Sequence, residues 1–196
     1  MKTYVPLWLV SIIFTLNLGC SGSTDEADAL ISSGWEKFES HDYTGAATDF
    51  ADALAADSSR AEAFVGLGWT ALKLDQLPVA SLSFSIALSL ESTDDAYAGK
   101  AFADLNLDNK ADAVTDVAEV VTISGNTASN YTFIHDNSIT QTDLLWIKAR
   151  AHFLMAEYAE AQTVLNILAP SNGLNPESPT YLQDLAAAIE GLRLNV

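Results

Sequence analysis

The sequence predicts an all-α protein, an α-solenoid of four helical hairpins closed by a C-terminal capping helix. Three observations favour this fold class. Short patterns of small and aromatic residues recur about every 34 residues along the chain. Hydrophobic residues make up 49% of the composition, which is enough for a buried core and excludes generic disorder. The length of 196 residues suits one modest domain or a short array of repeats, not a large multidomain enzyme.

The charge balance restricts the classes of partner. The chain carries 26 Asp and Glu against 9 Lys and Arg, a formal net charge of −17. A surface of this sign repels phosphate backbones, so nucleic-acid binding is not expected. The single cysteine, Cys20, excludes an internal disulfide framework and a cysteine-based metal cluster.

The N-terminal residues have the pattern of an export signal. Lys2 is followed by a mostly apolar stretch, 4–18, which is too short and too interrupted to predict a membrane-spanning helix. Cys20 and the small or polar residues 21–26 come soon after it. We therefore expect the first residues to direct export and not to belong to the fold.

This N-terminal pattern resembles a bacterial lipoprotein signal. The resemblance implies that residues 1–19 are removed, that Cys20 carries the lipid, and that residues 20–26 form a tether. It also implies a lipid-anchored protein of the bacterial cell envelope, and Ser21 after the cysteine favours the outer membrane, facing the periplasm. Asn17 stands where the lipoprotein motif has an aliphatic residue, so an ordinary secretory cleavage near the same place is the alternative.

The body of the chain repeats a two-helix unit. The units are predicted at 27–60, 61–93, 94–123 and 142–170, each with a turn near its middle. Matching residues in the first two units are Gly34 and Gly68, Trp35 and Trp69, Ala46 and Ala80, Phe50 and Phe84, and Ala53 and Ala87. The predicted turns are His41-Asp42, Asp75-Gln76, Asn109-Lys110 and Ala156-Glu157.

This unit resembles the tetratricopeptide repeat (TPR), a helix–turn–helix motif of 34 residues. The second unit carries the pattern most fully, since its small, alanine, aromatic and alanine positions are filled by Gly68, Ala80, Phe84 and Ala87. The third and fourth units depart from it, with alanine in place of the glycine and aliphatic side chains in place of the aromatic. The resemblance implies a curved stack in which the first helix of each unit lines the concave side.

The small and aromatic residues have a physical reason. Antiparallel helices approach closely where side chains are small, so the glycines and alanines of the motif are expected at helix crossings. Phe50 and Phe84 are expected to fill the gap between one hairpin and the next. Because a hairpin cannot bury its apolar face alone, the last one needs a cover, which residues 171–196 are predicted to form with Ser178 as N-cap. Its apolar stripe consists of Leu182, Leu185, Ile189 and Leu192.

An insert separates the third and fourth units. Residues 124–141 are rich in Ser, Thr and Asn, which disfavour the continuation of a helix. Four of its side chains are more apolar than a surface loop requires: Tyr131, Phe133, Ile134 and Ile139. One interpretation is a surface excursion held by two or three buried side chains, and the other is a flap over the concave groove.

The candidate binding site follows from the resemblance. In the TPR family, partner contacts come mainly from the concave side of each first helix. The corresponding residues here are Ile31, Trp35, Phe38, Val65, Trp69, Leu72, Phe102, Leu105, Trp146, Arg150 and Phe153. This mostly apolar lining suits an apolar segment of a protein or peptide partner. The alternatives are a self-filled core closed by the insert or the terminal helix, a site for a small apolar ligand, and a homodimer interface.

The second residue of every unit is acidic. The four residues are Asp28, Glu62, Asp95 and Asp143. Acids in the first turn of a helix interact favourably with its dipole, by about 0.3–1 kcal/mol each. The functional alternative is an acidic rim beside the apolar floor of the groove, suited to a basic or amphipathic partner.

Enzyme chemistry has little support in the sequence. His41, His135 and His152 lack the local spacing of metal ligands, and no phosphate loop, nucleophile elbow or zinc motif occurs. A run of four aspartates lacks the glycine and the terminal glutamate of a calcium loop, so a solvated face is expected there. Its members are Asp104, Asp108, Asp112 and Asp116. We therefore expect no catalytic residue, metal or cofactor, and predict a non-catalytic scaffold or adaptor, anchored by lipid, that holds a protein partner.

Overall fold

A computed structural model of the chain describes residues 22–123 and 131–192, with side chains from residue 24 onward. These ranges contain nine helices, which confirms the all-α prediction: α1 Gly22–Glu39, α2 Tyr43–Ala56, α3 Ala61–Lys73, α4 Leu77–Leu90, α5 Asp94–Asn106, α6 Lys110–Ile123, α7 Gln141–Leu154, α8 Tyr158–Leu168 and α9 Tyr181–Gly191. Within the described part, no helix has the length and hydropathy needed to cross a membrane. Cys20 and the predicted signal sequence lie outside the described residues.

The helices form four successive hairpins in a curved stack. Each helix packs on the next one in the chain, from α1 to α8. The first helices of neighbouring hairpins also pack on one another, α1 on α3, α3 on α5 and α5 on α7, whereas the second helices have no comparable contact in the described part. Because the first helices are closer together than the second ones, they form the concave side. The predicted α-solenoid is therefore confirmed.

The turn inside each hairpin has the same construction four times. His41, Asp75, Asp108 and Ala156 have left-handed φ angles of 66°, 57°, 69° and 62°. The next N–H donates to the carbonyl five residues back in every case, for example Asp42 to Lys37 at 2.9 Å, which satisfies a free carbonyl at the helix end. Three turns lie where the sequence predicts them. The third lies one residue earlier, because α6 already begins at Lys110.

Two phenylalanines join the first three hairpins through glycine contacts. A Cβ atom on Gly34 would lie 2.7 Å from the ring of Phe50, and one on Gly66 would lie 2.3 Å from the same ring. Phe84 repeats this arrangement between Gly68 and Gly99. No side chain larger than hydrogen fits at these positions without movement of the ring. The predicted role of the two rings between hairpins is confirmed, and Gly66 and Gly99 are additional members.

The two ends of the stack differ in detail from the sequence predictions. Helix α1 begins at Gly22, so the part of the predicted tether from residue 22 to residue 26 is helical. At the other end, Leu185 and Ile189 of α9 are buried against α7 and α8, as expected for a cap. The predicted N-cap at Ser178 is wrong, since its carbonyl accepts from the Tyr181 N–H in a turn and the N-cap residue is Thr180.

Candidate interaction site on the concave face

The concave side brings the predicted aromatic residues together. Trp69 and Phe102 have ring centroids 5.9 Å apart, and both Trp35 and Trp69 contact the ring of Phe133. Seven of the predicted contact residues are buried: Ile31, Trp35, Phe38, Val65, Trp69, Phe102 and Leu105. The other four are half-buried: Leu72, Trp146, Arg150 and Phe153. The seven buried residues therefore belong to one hydrophobic core, so most of the predicted lining is covered in this structure.

The insert covers the first three hairpins. Tyr131, Phe133 and Ile139 are 5%, 0% and 0% exposed and belong to the main hydrophobic core. The Phe133 ring stacks on Trp69 with a centroid distance of 4.3 Å and an interplanar angle of 20°. It also meets the edges of the Trp35 and Phe38 rings at 5.9 Å and 6.1 Å. Phe133 is therefore the central contact between the insert and the concave face.

Polar contacts fix the insert to three different helices. The Tyr131 hydroxyl donates to the Asp95 carboxylate on α5 at 2.9 Å. Asp136 pairs with Lys73 at the end of α3 at 3.0 Å. Burial acts to raise the pKa of Asp136, but hydrogen bonds from Ser138 and the contact with Lys73 lower it below its usual value. The imidazole of His135 contacts both Trp35 and Glu39 on α1. These contacts give the insert one defined position across the groove.

His135 is a contact that the sequence did not indicate. Its ring stacks on Trp35 with a centroid distance of 3.7 Å and an interplanar angle of 2°. Its Nδ1 atom lies 2.8 Å from Glu39 Oε1 near the end of α1. No local sequence pattern predicts this contact, since residues 39 and 135 are 96 positions apart. Only the path of the insert across the groove brings them together.

The backbone of the insert is paired mainly with itself. The Phe133 N–H donates to the Ile139 carbonyl at 3.0 Å, and the Gln141 N–H donates to the Tyr131 carbonyl at 2.9 Å. Ile134, at the tip of this narrow loop, is 71% exposed. The described part of the insert, 131–141, is thus a short loop that holds its own shape and places Phe133 in the groove, as the flap interpretation expects.

Helix α9 contacts Trp146 and Arg150 on the first helix of the fourth hairpin. The Trp146 Nε1–H donates to the Ile189 carbonyl at 2.8 Å. Arg150 forms an ion pair with Glu190, and its guanidinium carbon lies 5.5 Å from the centre of the Trp146 ring. Trp146 and Arg150 are consequently half-buried beside α9, whereas Trp35 and Trp69 are buried under the insert.

The four acidic residues of the predicted rim already have donors within the chain. Asp28 pairs with Arg60, Glu62 accepts from Trp35 Nε1 at 3.2 Å, and Asp95 accepts from Tyr131. Asp143 is 1% exposed and accepts from the Thr140 N–H at 2.7 Å in a capping box at the start of α7. Burial raises the pKa of Asp95 in spite of its hydrogen bond from Tyr131.

The solvated-face interpretation of the aspartate run is wrong for two of its members. Asp104 and Asp116 are 2% and 5% exposed, and both bind Lys100, with Nζ–Oδ distances of 2.5 Å and 3.0 Å. Burial raises the pKa of Asp116 to about 6 against the effect of Lys100, and the nearby charges of Asp104 and Asp112 raise it further. Asp108 and Asp112 are exposed as expected. Lys100, four residues before Asp104, was the available sequence signal for this cluster.

The remaining titratable residues do not assemble into a metal site in the described ranges, where no group of three His, Cys, Asp or Glu has suitable geometry. His41 lies in the first turn and contacts the Tyr43 hydroxyl at 2.8 Å. His152 lies in α7 with its Nδ1 atom 2.7 Å from Glu157 Oε2. Both histidines therefore contact a side chain of their own hairpin.

Comparison with known proteins identifies the fold. No family model matches the chain, and no curated protein matches it. The first TPR of Spaghetti (RPAP3), bound to the HSP90 peptide SRMEEVD, is 17% identical over 72% of this chain and 94% of that chain, with a TM-score of 0.52. A TPR protein from Parabacteroides merdae is 14% identical over 86% and 60%, with a TM-score of 0.59. MamA is 18% identical over 81% and 95%, with a TM-score of 0.58. The chain has the TPR fold.

Proposed function

We propose that this chain is a non-catalytic protein-interaction scaffold whose concave face binds a segment of a partner protein in exchange for its own insert. The observation that supports this most directly is the packing of the Phe133 ring against Trp35 and Trp69. The concave face already holds an irregular segment through aromatic contacts at its centre and polar contacts around them. A partner segment with an apolar or aromatic anchor offers the same contacts.

The exchange sets a threshold for binding. Burying a phenylalanine side chain is worth about 1.5–3 kcal/mol, and removing the insert exposes Tyr131 and Ile139 as well. The open form is therefore a small fraction of the molecules, and the apparent affinity of any ligand is reduced by that fraction. Segments that fill only part of the groove do not recover this cost, so the insert selects against weak partners.

The proposal includes a location. A lipid on Cys20 anchors the protein to the bacterial envelope, with the outer membrane and its periplasmic side as the preferred place. Support comes from the N-terminal sequence: a positive start, a short apolar stretch, and the one cysteine directly before small polar residues. Each buried methylene of an acyl chain adds about 0.8 kcal/mol to membrane binding, so the lipid needs no spanning helix.

Metabolic labelling tests the anchor. Cells expressing the chain are grown with radioactive palmitate, and membrane and soluble fractions are compared with those of a Cys20→Ala variant. We expect label and membrane association only with the wild type. A wild-type chain that remains unlabelled and soluble contradicts the anchor and leaves an ordinary secretory signal.

Crosslinking in intact cells tests the scaffold. We compare wild type with Phe133→Ala, which weakens the seat of the insert, and with Ile134→Ala as matched control, because Ile134 is exposed in the same loop. We expect Phe133→Ala to capture more of the same envelope proteins, and Ile134→Ala to behave as wild type. Equal capture by all three chains contradicts binding on the concave face.

A further inference from the structure

Two hairpins hold a largely buried aspartate at the same repeat position of their second helix, each paired with a lysine of the first helix. In the first hairpin, Lys37 on α1 binds Asp49 on α2 at 2.7 Å. In the third hairpin, Lys100 on α5 binds Asp116 on α6 at 3.0 Å. Both aspartates are largely buried, at 8% and 5% exposure. The repeat therefore has a place between its two helices where a carboxylate is held by a lysine.

The spacing of these contacts locates the equivalent place in the fourth hairpin. Ser33 donates to Asp49 at 2.6 Å and Lys100 donates to Asp116, in both cases across 16 residues. The same spacing sets Lys148 on α7 opposite Val164 on α8. The fourth hairpin thus keeps the lysine of this arrangement and has an isopropyl group where the carboxylate stands in the other two.

A cavity occupies this place. It has a volume of about 290 Å³ and is lined by Lys148, His152, Ala159, Glu160, Thr163 and Val164. Within the described part of the chain, Lys148 forms no ion pair with any carboxylate, Glu160 included. The cavity beside the half-buried Lys148 therefore lies where the first and third hairpins hold an aspartate.

We propose that this cavity binds a carboxylate group from another molecule, with Lys148 as its cation. Helical spacing puts Lys148 and His152 on the side of α7 opposite Trp146 and Arg150, so this site is separate from the concave face. Glu160 on the cavity wall limits the ligand to one negative charge nearby, because a second carboxylate would be repelled. The ligand class is therefore a monocarboxylate, either a small organic acid or a single acidic side chain.

An acetate titration tests the proposal on the purified full chain. Amide shifts of α7 and α8 are followed by NMR as sodium acetate replaces sodium chloride at constant ionic strength. We expect saturable shifts with a dissociation constant on the order of millimolar, and affinity at least about fivefold weaker in Lys148→Gln. Lys110→Gln is the matched control, since Lys110 already pairs with Asp108 at another turn. Saturation that is equal in wild type and Lys148→Gln overturns the proposal, as does a linear response in wild type.

Two further probes separate the sources of the carboxylate. A tripeptide Gly-Asp-Gly, blocked at both ends, presents an acidic side chain without a free terminus, and succinate presents two charges. Tighter binding of the tripeptide than of acetate supports an acidic segment of a protein, and the reverse supports a small organic acid. Succinate that binds more tightly than both contradicts the role given to Glu160 and overturns the monocarboxylate assignment.

A thermal cycle checks the geometry without any ligand. Val164→Asp restores the carboxylate found in the first and third hairpins. We expect it to lower the Tm by roughly 2–4 °C more in a Lys148→Gln background than in a Lys148 background, because Lys148 supplies the cation that pairs with it. We also expect Val164→Asp to abolish the saturable acetate shifts. Additive effects on Tm contradict the predicted proximity of the two side chains.

Discussion

The concave sides of the first three hairpins and of the fourth are built from equivalent repeat positions but are covered in different ways. Over the first three, an irregular insert places the Phe133 ring against Trp35 and Trp69. Over the fourth, α9 offers a backbone carbonyl to Trp146 and a carboxylate to Arg150. Trp69 is consequently 0% exposed, whereas Trp146 is half-buried. Repeat position determines the side on which a residue lies, and the covering segment decides whether it becomes core.

The two covers also differ in how they are held. Helix α9 buries Leu185 and Ile189 in a second hydrophobic cluster with α7 and α8. The described part of the insert, 131–141, is an irregular segment with Phe133 at the centre of its contacts and with its backbone bonded mainly to itself. We therefore expect the insert to detach with less damage to the remaining structure than α9.

The largest expected effect is on Trp69. Trp69→Ala removes a fully buried ring that touches Phe84, Phe102 and Phe133, and is expected to cost about 3–5 kcal/mol of unfolding free energy. Trp146→Ala, at the half-buried equivalent surface, is expected to cost about 1–2 kcal/mol. Urea denaturation of both variants measures the difference. Equal costs would show that α9 stabilises the packing of Trp146 as much as the insert stabilises that of Trp69.

The next largest expected effect concerns Phe133, the central contact between the insert and the concave face. Phe133→Ala is expected to cost about 3 kcal/mol, because the ring is fully buried and stacked on Trp69. Hydrogen exchange should become faster in residues 131–141 and stay unchanged in α9. Ile134→Ala, in the exposed tip, is expected to change stability by less than about 0.5 kcal/mol. Faster exchange throughout α9 in Phe133→Ala would mean that the two covers are coupled.

A buried titratable group lies between the two helices of the third hairpin and has no equivalent at the same position of the fourth. The pKa of Asp116 is raised to about 6, whereas Val164 holds the equivalent position in the fourth hairpin and does not titrate. The folded chain therefore binds this proton more tightly than the unfolded chain. Its stabilising effect is complete below about pH 4 and is lost as the pH rises through about 6.

The corresponding measurement is hydrogen exchange of α5 and α6 at pH 5 and pH 7.5, corrected for intrinsic rates. Protection of α5 and α6 is expected to be higher at pH 5 by between about 1 and 2 kcal/mol, and Asp116→Asn should remove most of this difference. Asp112→Asn, an exposed neighbour, serves as control and should keep it. A pH effect that survives Asp116→Asn would assign the titration to another group.

The smallest effect isolates the hydrogen bond that joins α9 to α7. Trp146→Phe keeps an aromatic ring but removes the Nε1–H that donates to the Ile189 carbonyl. The expected cost is about 1 kcal/mol, seen as roughly fivefold faster opening of α9 amides. Leu182→Ala, an exposed change in the same helix, should leave α9 unaffected. A Trp146→Phe variant with unchanged α9 exchange would mean that apolar contacts alone hold this cover.

Much of the fold could be predicted because the repeat is local. The spacing of Gly34 and Gly68, and of Phe50 and Phe84, gave the hairpins and the rings between them, since each contact joins neighbouring units. The turns followed from the same spacing. The start of α1 at Gly22 could not be predicted, because residues 22–26 extend the helix before the repeat begins at Ala27 and have no repeat pattern of their own.

The site was less predictable because it depends on contacts between distant segments. Helical spacing gave the concave residues, but nothing local tells whether Trp35 meets solvent, a partner or His135. The burial of Asp104 and Asp116 follows from one lysine placed between two helices. Periodicity predicts the helix face on which a residue lies. Which residue packs against that face depends on the fold of the whole chain.

The contact of His135 with Glu39 changes how this array can unfold. An ordinary solenoid has only nearest-neighbour interfaces, so its ends fray independently and it can unfold stepwise. Here a loop that follows the third hairpin in sequence touches the first one, 96 residues away. The first three hairpins are thereby closed into a ring of contacts with a higher contact order, which slows folding and makes their melting cooperative. Helix α7 shares the core of these hairpins through Leu144 and Ile147, so the segment that depends on nearest-neighbour contacts alone is the C-terminal end, α8 and α9.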